Sequence, residues 1–245
     1  MNPPSVYERV LGARLDALDP GLRRYFGAIP PGSVGVGTGV FVVAGSRLRW
    51  LRPVWAFLGW RRVLFAEHGR DVPFTVLNTP QPDGSLTAER TVVFEGRRRV
   101  MVDRMSVENG ALVDRIGRRG GLEVTLEATV AAGELRLASR RVALRLWAVR
   151  IPLTPLAAVT VRERAAARPA RGQSVDVRLT MPILGEVFRY AGTFTYAISP
   201  ADAGGTACEL RRNARTPQPI AGSGAEFATD CGVRVKRSPP RATSS

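Results

Sequence analysis

The sequence predicts a mainly β protein, an antiparallel meander forming a barrel or strongly curved sheet, with short N-terminal helices and one helix near 47–60. Between Glu186 and Ile198 the aromatics fall only at every second position, so Phe188, Tyr190, Phe194 and Tyr196 share one face of an extended strand. The same period of two recurs where Leu122, Val124, Leu126, Ala128 and Val130 alternate with Glu123, Thr125, Glu127 and Thr129, and again in Val175, Val177, Leu179 and Met181. Turn chemistry separates these runs at hairpin spacing: Pro82-Asp83-Gly84, Glu95-Gly96, Asn109-Gly110, Gly120-Gly121, Ala132-Gly133 and Arg171-Gly172. A meander of this kind stacks on itself or closes, and closure removes the edges that invite aggregation.

The elements follow in order. Ser5-Val6-Tyr7-Glu8 has the form of a capping box, and Tyr7, Leu11, Leu15 and Leu18 behind it fall on one helical face. Asp19-Pro20 supplies a second cap with proline inside the first turn, so a short helix carrying Leu22 and Tyr25 follows. Together these helices are expected to plug one end of the sheet. In the strand that comes next, Gly35, Gly37 and Gly39 share one face. A dinucleotide fingerprint needs glycine where Val40 stands, so the stripe reads instead as a surface stripped of side chains for close approach of a helix, another backbone or a ligand. Arg47 to Trp60 holds Trp50, Trp55 and Trp60 beside Arg47, Arg49 and Arg52. It reads as a core-packed helix kinked near Pro53, as a lid over an apolar cavity, or as an interfacial segment. Strands are then expected near 72–79, 86–95, 98–108, 111–117, 122–131, 134–139, 141–151, 156–165, 174–181 and 186–198.

Composition bounds the rest. The 245 residues are expected to form one β-rich domain over 1–199 and a tail over 200–245 whose Ala, Gly, Ser, Thr, Pro and Arg content shows no periodicity. The formal charge is +15, yet Lys236 is the only lysine among 36 basic residues, a bias that GC-rich coding produces whatever the function. The arginines scatter over strand ends and turns without an aromatic nucleic-acid motif, so a nucleic-acid partner is not expected. Cys208 and Cys231 both lie in the tail, which fits a reducing compartment, and the N-terminus lacks the layout of a secretory signal. The uncharged stretch from Tyr25 to Ser46 is broken by glycine and proline, so no transmembrane segment is expected. A cytoplasmic protein is the expectation.

Three stretches carry a family resemblance: Tyr7-Glu8-Arg9-Val10-Leu11-Gly12, Gly39-Val40-Phe41-Val42-Val43-Ala44-Gly45, and Leu184-Gly185-Glu186-Val187-Phe188-Arg189-Tyr190-Ala191-Gly192-Thr193-Phe194. In order and spacing, over roughly 5–198, the chain resembles the bacterial DUF4166 family. That family is one of unknown function, whose members also occur joined to NAD(P)-binding oxidoreductase-like domains. This chain carries no such domain, so the resemblance implies a stand-alone module and names no reaction.

Chemistry is sparsely signalled. His68 is the single histidine, and without a Gly-x-Ser-x-Gly elbow it reads as a loop residue; no metal or cofactor site is expected. Glu89, Asp103 and Glu163 lie in strands beside arginine, so each pair splits between the two faces. A carboxylate turned inward has its pKa raised and becomes an acid or base; cross-strand ion pairing is the structural alternative. The reading of function is a non-catalytic module binding a small apolar or amphipathic molecule in a barrel cavity on the order of a few hundred Å³, lined by Phe188, Tyr190, Phe194 and Tyr196. The alternatives are an enzyme transferring protons from Glu89, Asp103 or Glu163 on a hydrophobic substrate, and a peripheral binder of anionic membrane surfaces through the tryptophan and arginine segment.

Overall fold

The computed structural model describes residues 3–146, 149–166 and 172–201. Twelve strands are β1 (Ser33–Gly45), β2 (His68–Gly69), β3 (Val72–Pro80), β4 (Leu86–Phe94), β5 (Arg97–Glu108), β6 (Ala111–Ile116), β7 (Leu122–Ala131), β8 (Glu134–Leu146), β9 (Val149–Pro152), β10 (Ala158–Ala165), β11 (Gln173–Met181) and β12 (Gly185–Pro200). All pairings are antiparallel, and the β8–β10 ladder, Leu135 to Ala138 against Thr160 to Glu163, closes the sheet. The result is a closed 10-strand barrel among the described residues, with β2 and β9 as short additions to β1 and β8. Asn109 and Gly110 take φ of 50° and 75°, the left-handed pair of a two-residue hairpin turn, which is why this dipeptide sits between β5 and β6.

Two boundaries differ from the sequence reading. The strands expected at 134–139 and 141–151 are one strand, β8, which runs through a bulge at Arg140: Thr125 pairs with Arg141 and Leu126 with Ser139. A separate short β9 then folds back along its end, Ala143 against Pro152. The expected tail, 200–245, lies outside the described residues except for Pro200, which ends β12, and Ala201.

The N-terminal segment is shaped by its caps. In α1 (Val6–Leu11), Ser5 Oγ accepts from the Glu8 amide at 3.1 Å, while Glu8 Oε2 accepts from the Ser5 amide at 2.6 Å. The Ser5 hydroxyl also donates to the Phe26 carbonyl at 2.6 Å, which ties the start of α1 to the end of α2 (Pro20–Phe26). The single helix expected through Leu18 stops at Leu11, because Gly12 turns to φ 54°, and the chain continues as a 3₁₀ segment, Gly12–Ala17. Val6, Leu11, Leu18, Leu22 and Phe26 are nonetheless buried in the core, so the two helices close one end of the barrel.

The opposite end is covered by α3 (Arg52–Trp60) and the turn after it, where Trp55, Val63 and Phe65 are buried. Pro53 does not kink this helix. It sits in the first turn, where its missing N–H leaves no bond unmade.

The barrel exterior carries cross-strand ion pairs. Glu123 meets Arg115, Arg145 and Arg150 at 3.4, 3.1 and 2.9 Å. Asp176 meets Arg189 of β12 at 3.0 Å and Arg178 of its own strand at 2.7 Å. No helix among the described residues is long and apolar enough to cross a membrane.

The glycine stripe of β1 lies beneath the aromatic rings of β12, in direct register: Gly37 opposite Tyr196, and Gly39 opposite Phe194. A Cβ on Gly35 would stand 1.5 Å from the Tyr196 hydroxyl, and one on Gly37 2.6 Å from Val76 Cγ1. At Gly39 it would stand 2.1 Å from the Thr193 carbonyl oxygen, which is backbone and does not give way. Gly39→Ala is therefore expected to lower stability by about 2–3 kcal/mol, read as a lower urea midpoint with unchanged m-value.

Candidate functional site

Barrel closure gives every strand an inner face, and strand parity decides what points there. On β4, Ala88, Arg90 and Val92 share a face, which leaves Glu89 exposed on the outside. On β5 the inward set is Met101, Asp103 and Met105; on β10 it is Val159, Val161 and Glu163. Of the three candidate carboxylates, the fold thus turns Asp103 and Glu163 inward and Glu89 outward, and from the Glu89-Arg90 pair it is the arginine that enters.

Arg90, Asp103, Asp114, Glu163, Tyr7 and Tyr25 all line one interior chamber of about 80 Å³, together with aromatic and aliphatic wall residues. Tyr7 and Tyr25 come from the two helices that close the end of the barrel. The chamber is far smaller than the several hundred Å³ expected from the aromatic strand face. The helices explain the difference, since Tyr25 packs edge-on against Phe194 at 5.6 Å and against Tyr196 at 4.6 Å.

The four rings of β12 have different surroundings. Tyr190 and Phe194 line the chamber. Phe188 is packed against Phe65 at 4.9 Å and Trp55 at 5.8 Å beneath α3, and Tyr196 borders a second void of about 50 Å³ beside Tyr7 and Tyr25. None of the three tryptophans lines the chamber. Trp55 is buried, while Trp50 and Trp60 are exposed. His68 is not in a loop; it pairs with Gly45 in β2 and borders a separate exterior groove.

The chamber holds more acid than base. Asp103, buried, forms an ion pair with the half-buried Arg90. Glu163, also buried, accepts one hydrogen bond from Gln173 Nε2 at 3.1 Å. Burial pushes the Glu163 carboxyl up to about 7, with Arg90 and Gln173 acting against that rise. Asp114 is raised as well, again by burial first and against the pull of Arg90. Its Oδ1 is shut off from solvent and has no hydrogen-bond partner among the described residues. Burial, and behind it the Glu163 carboxylate, drives Tyr7 and Tyr25 upward, so both remain neutral phenols. No group of three His, Cys, Asp or Glu among the described residues is placed to hold a metal ion.

Sequence reasoning missed Arg90, Asp114, Tyr7 and Tyr25 as chamber residues. Parity carried the signal for two of them. Asp114 stands between Leu112 and Ile116 at alternate positions of β6, and Arg90 between Ala88 and Val92 on β4.

A family model described as "Domain of unknown function (DUF4166)" matches residues 18–194. The chain belongs to the DUF4166 family. The match takes in the whole barrel wall except the end of β12, and begins after α1, so Tyr7 lies outside the matched residues of this DUF4166 chain. No curated protein matches the chain. Among solved structures it is similar to the dehydratase domain of RzxB from Pseudomonas fluorescens, at 11% identity over 70% of this chain and 79% of that one. The TM-score is 0.15, too slight a likeness to bear on fold or chemistry.

The raised Glu163 carboxyl has a measurable consequence. The folded chain keeps that proton up to about pH 7, whereas the unfolded chain releases it near the ordinary glutamate value of 4.5. Folded stability therefore falls as pH rises through this window, by about 3 kcal/mol for a shift of this size. Glu163→Gln removes that contribution. Urea denaturation from about pH 5 to about pH 8 should show the variant gaining on the wild type as pH rises.

Proposed function

We propose that the DUF4166 barrel is a binding module that holds a small polar or amphipathic molecule, carrying an amine or another hydrogen-bond donor, in its interior chamber. One observation carries this reading: a closed apolar wall encloses three carboxyl groups and one guanidinium, with Asp114 Oδ1 unpartnered and the guanidinium of Arg90 already engaged by Asp103. An unmet buried acceptor is costly, and a ligand donor relieves it. The apolar part of such a ligand would rest against Phe41, Phe74 and Phe194. A chamber of about 80 Å³ takes only a few non-hydrogen atoms. Tyr7 and Tyr25 border both the chamber and the neighbouring void, so a larger ligand requires their rings to turn and join the two.

A second reading is proton transfer on the bound molecule. The Glu163 carboxyl near 7 favours it, because both protonation states are populated at neutral pH, as a general acid or base requires.

Native mass spectrometry of the full chain purified from its own host, followed by extraction of bound material, tests the binding reading. The expected result is a small amine- or amide-bearing adduct whose occupancy drops about tenfold or more in Glu163→Gln, the loss of one charge-assisted hydrogen bond. A ligand-free chain that also shows no thermal shift with a panel of small amines and amides would rule the reading out.

A further inference from the structure

A second concave region lies outside the barrel. A groove of about 1230 Å³ is bordered by α3, by the segment around His68 and by the hairpin joining β4 to β5. Arg47, Arg49, Arg52, Arg70, Arg97 and Arg99 line it, against Glu67, Asp71 and Glu95. Glu67 is committed: it accepts from Arg99 Nε at 2.8 Å and lies 3.9 Å from Arg97. Arg47, Arg49, Arg52 and Arg70 are exposed and have no carboxylate within 4.0 Å among the described residues. His68 registers the resulting field, its pKa lowered by burial first and then by Arg47 and Arg70.

Beside this groove stands an apolar ridge. Trp50 is 63% exposed, Val54 48%, Phe57 41% and Trp60 67%. Val54, Phe57 and Trp60 follow one another at helical spacing along α3, whereas Trp55 on the opposite side is buried at 4%. The rings of Phe57 and Trp60 lie 6.0 Å apart. A soluble anion would engage the guanidiniums but leave the ridge in water. An anionic lipid surface satisfies both, because it presents phosphates and an apolar layer within a few ångströms of each other.

We propose that the α3 ridge and the unpaired arginines beside it form a docking face for an anionic phospholipid surface, with Trp50 and Trp60 entering the headgroup layer and Arg47, Arg49, Arg52 and Arg70 taking lipid phosphates. This face is separate from the interior chamber. The two readings stand or fall independently, and Glu163→Gln is expected to bind vesicles as the wild type does.

Sedimentation of the full chain with vesicles provides the test. The chain should pellet with phosphatidylcholine vesicles containing about one-third phosphatidylglycerol at low salt, not with phosphatidylcholine alone, and should be released at about 0.5 M NaCl. The double variant Trp50→Ala, Trp60→Ala should partition at least about tenfold less. The triple variant Arg47→Gln, Arg49→Gln, Arg52→Gln should lose about fivefold per arginine. All five positions are exposed, and an unchanged melting temperature confirms that the variants are folded. His68, as the only histidine, gives a single imidazole signal by NMR, and its pKa should rise when short-chain phosphatidylglycerol micelles are added. Equal pelleting of the tryptophan variant would mean that bulk positive charge suffices, and overturns the proposal. So would a His68 response to inorganic phosphate with no pelleting on acidic vesicles, which would assign the groove to a soluble anion.

Discussion

Closure of the barrel rests on a short ladder. Leu135 to Ala138 of β8 pair with Thr160 to Glu163 of β10, and without those contacts the sheet would remain open with two bare edges. β8 serves both sides of the seam, holding β7 along its whole length while its free edge is divided between β10 and the short β9. Because the ring is complete, each strand of the barrel turns alternate residues toward a shared interior. The same ladder carries Glu163 to the inside, so the pairing that closes the wall also installs one of its buried acids.

That arrangement costs stability, and the molecule offsets the cost only in part. Asp103 has Arg90, Glu163 has one amide donor, and Asp114 keeps an oxygen without a partner. Outside the barrel the balance is reversed, with Glu123 and Asp176 each shared among several arginines. Carboxylates are therefore crowded by cations on the outer face of the wall and short of cations inside it. Apolar side chains at the inner positions would avoid that cost altogether.

Much of the architecture could be read from residue order. Five turn signals, from Pro82-Asp83-Gly84 to Ala132-Gly133, mark hairpins, while Arg171 of the sixth lies outside the described residues, and the alternation in β7, β11 and β12 marks inner faces because a period of two has only one regular structure that satisfies it. The chamber was less legible. Asp114 and Arg90 were discoverable by parity, but each is a lone charge in an apolar register, and the eye follows the apolar residues. Tyr7 and Tyr25 were assigned to helical faces, yet nothing in a helix's own periodicity says how deep it will sink into a neighbouring barrel. For that reason the enclosed space is smaller than the sequence implies: the aromatic face of β12 is visible in the sequence, while the ring of Tyr25 packed edge-on against it is not. The continuity of β8 through Arg140 escaped for a related reason, since a bulge shifts parity midway and mimics a strand break.

The bare stripe on β1 has an effect beyond packing. The Tyr196 ring covers Gly35 and the Phe194 ring reaches over Gly37, occupying space that side chains of β1 would otherwise fill, while Gly39 leaves room for the Thr193 carbonyl. The rings of β12 thus hold their places only because β1 presents no side chains at Gly35 and Gly37. A side chain gained at Gly35 would displace the Tyr196 ring first, so these two strands are bound to change together.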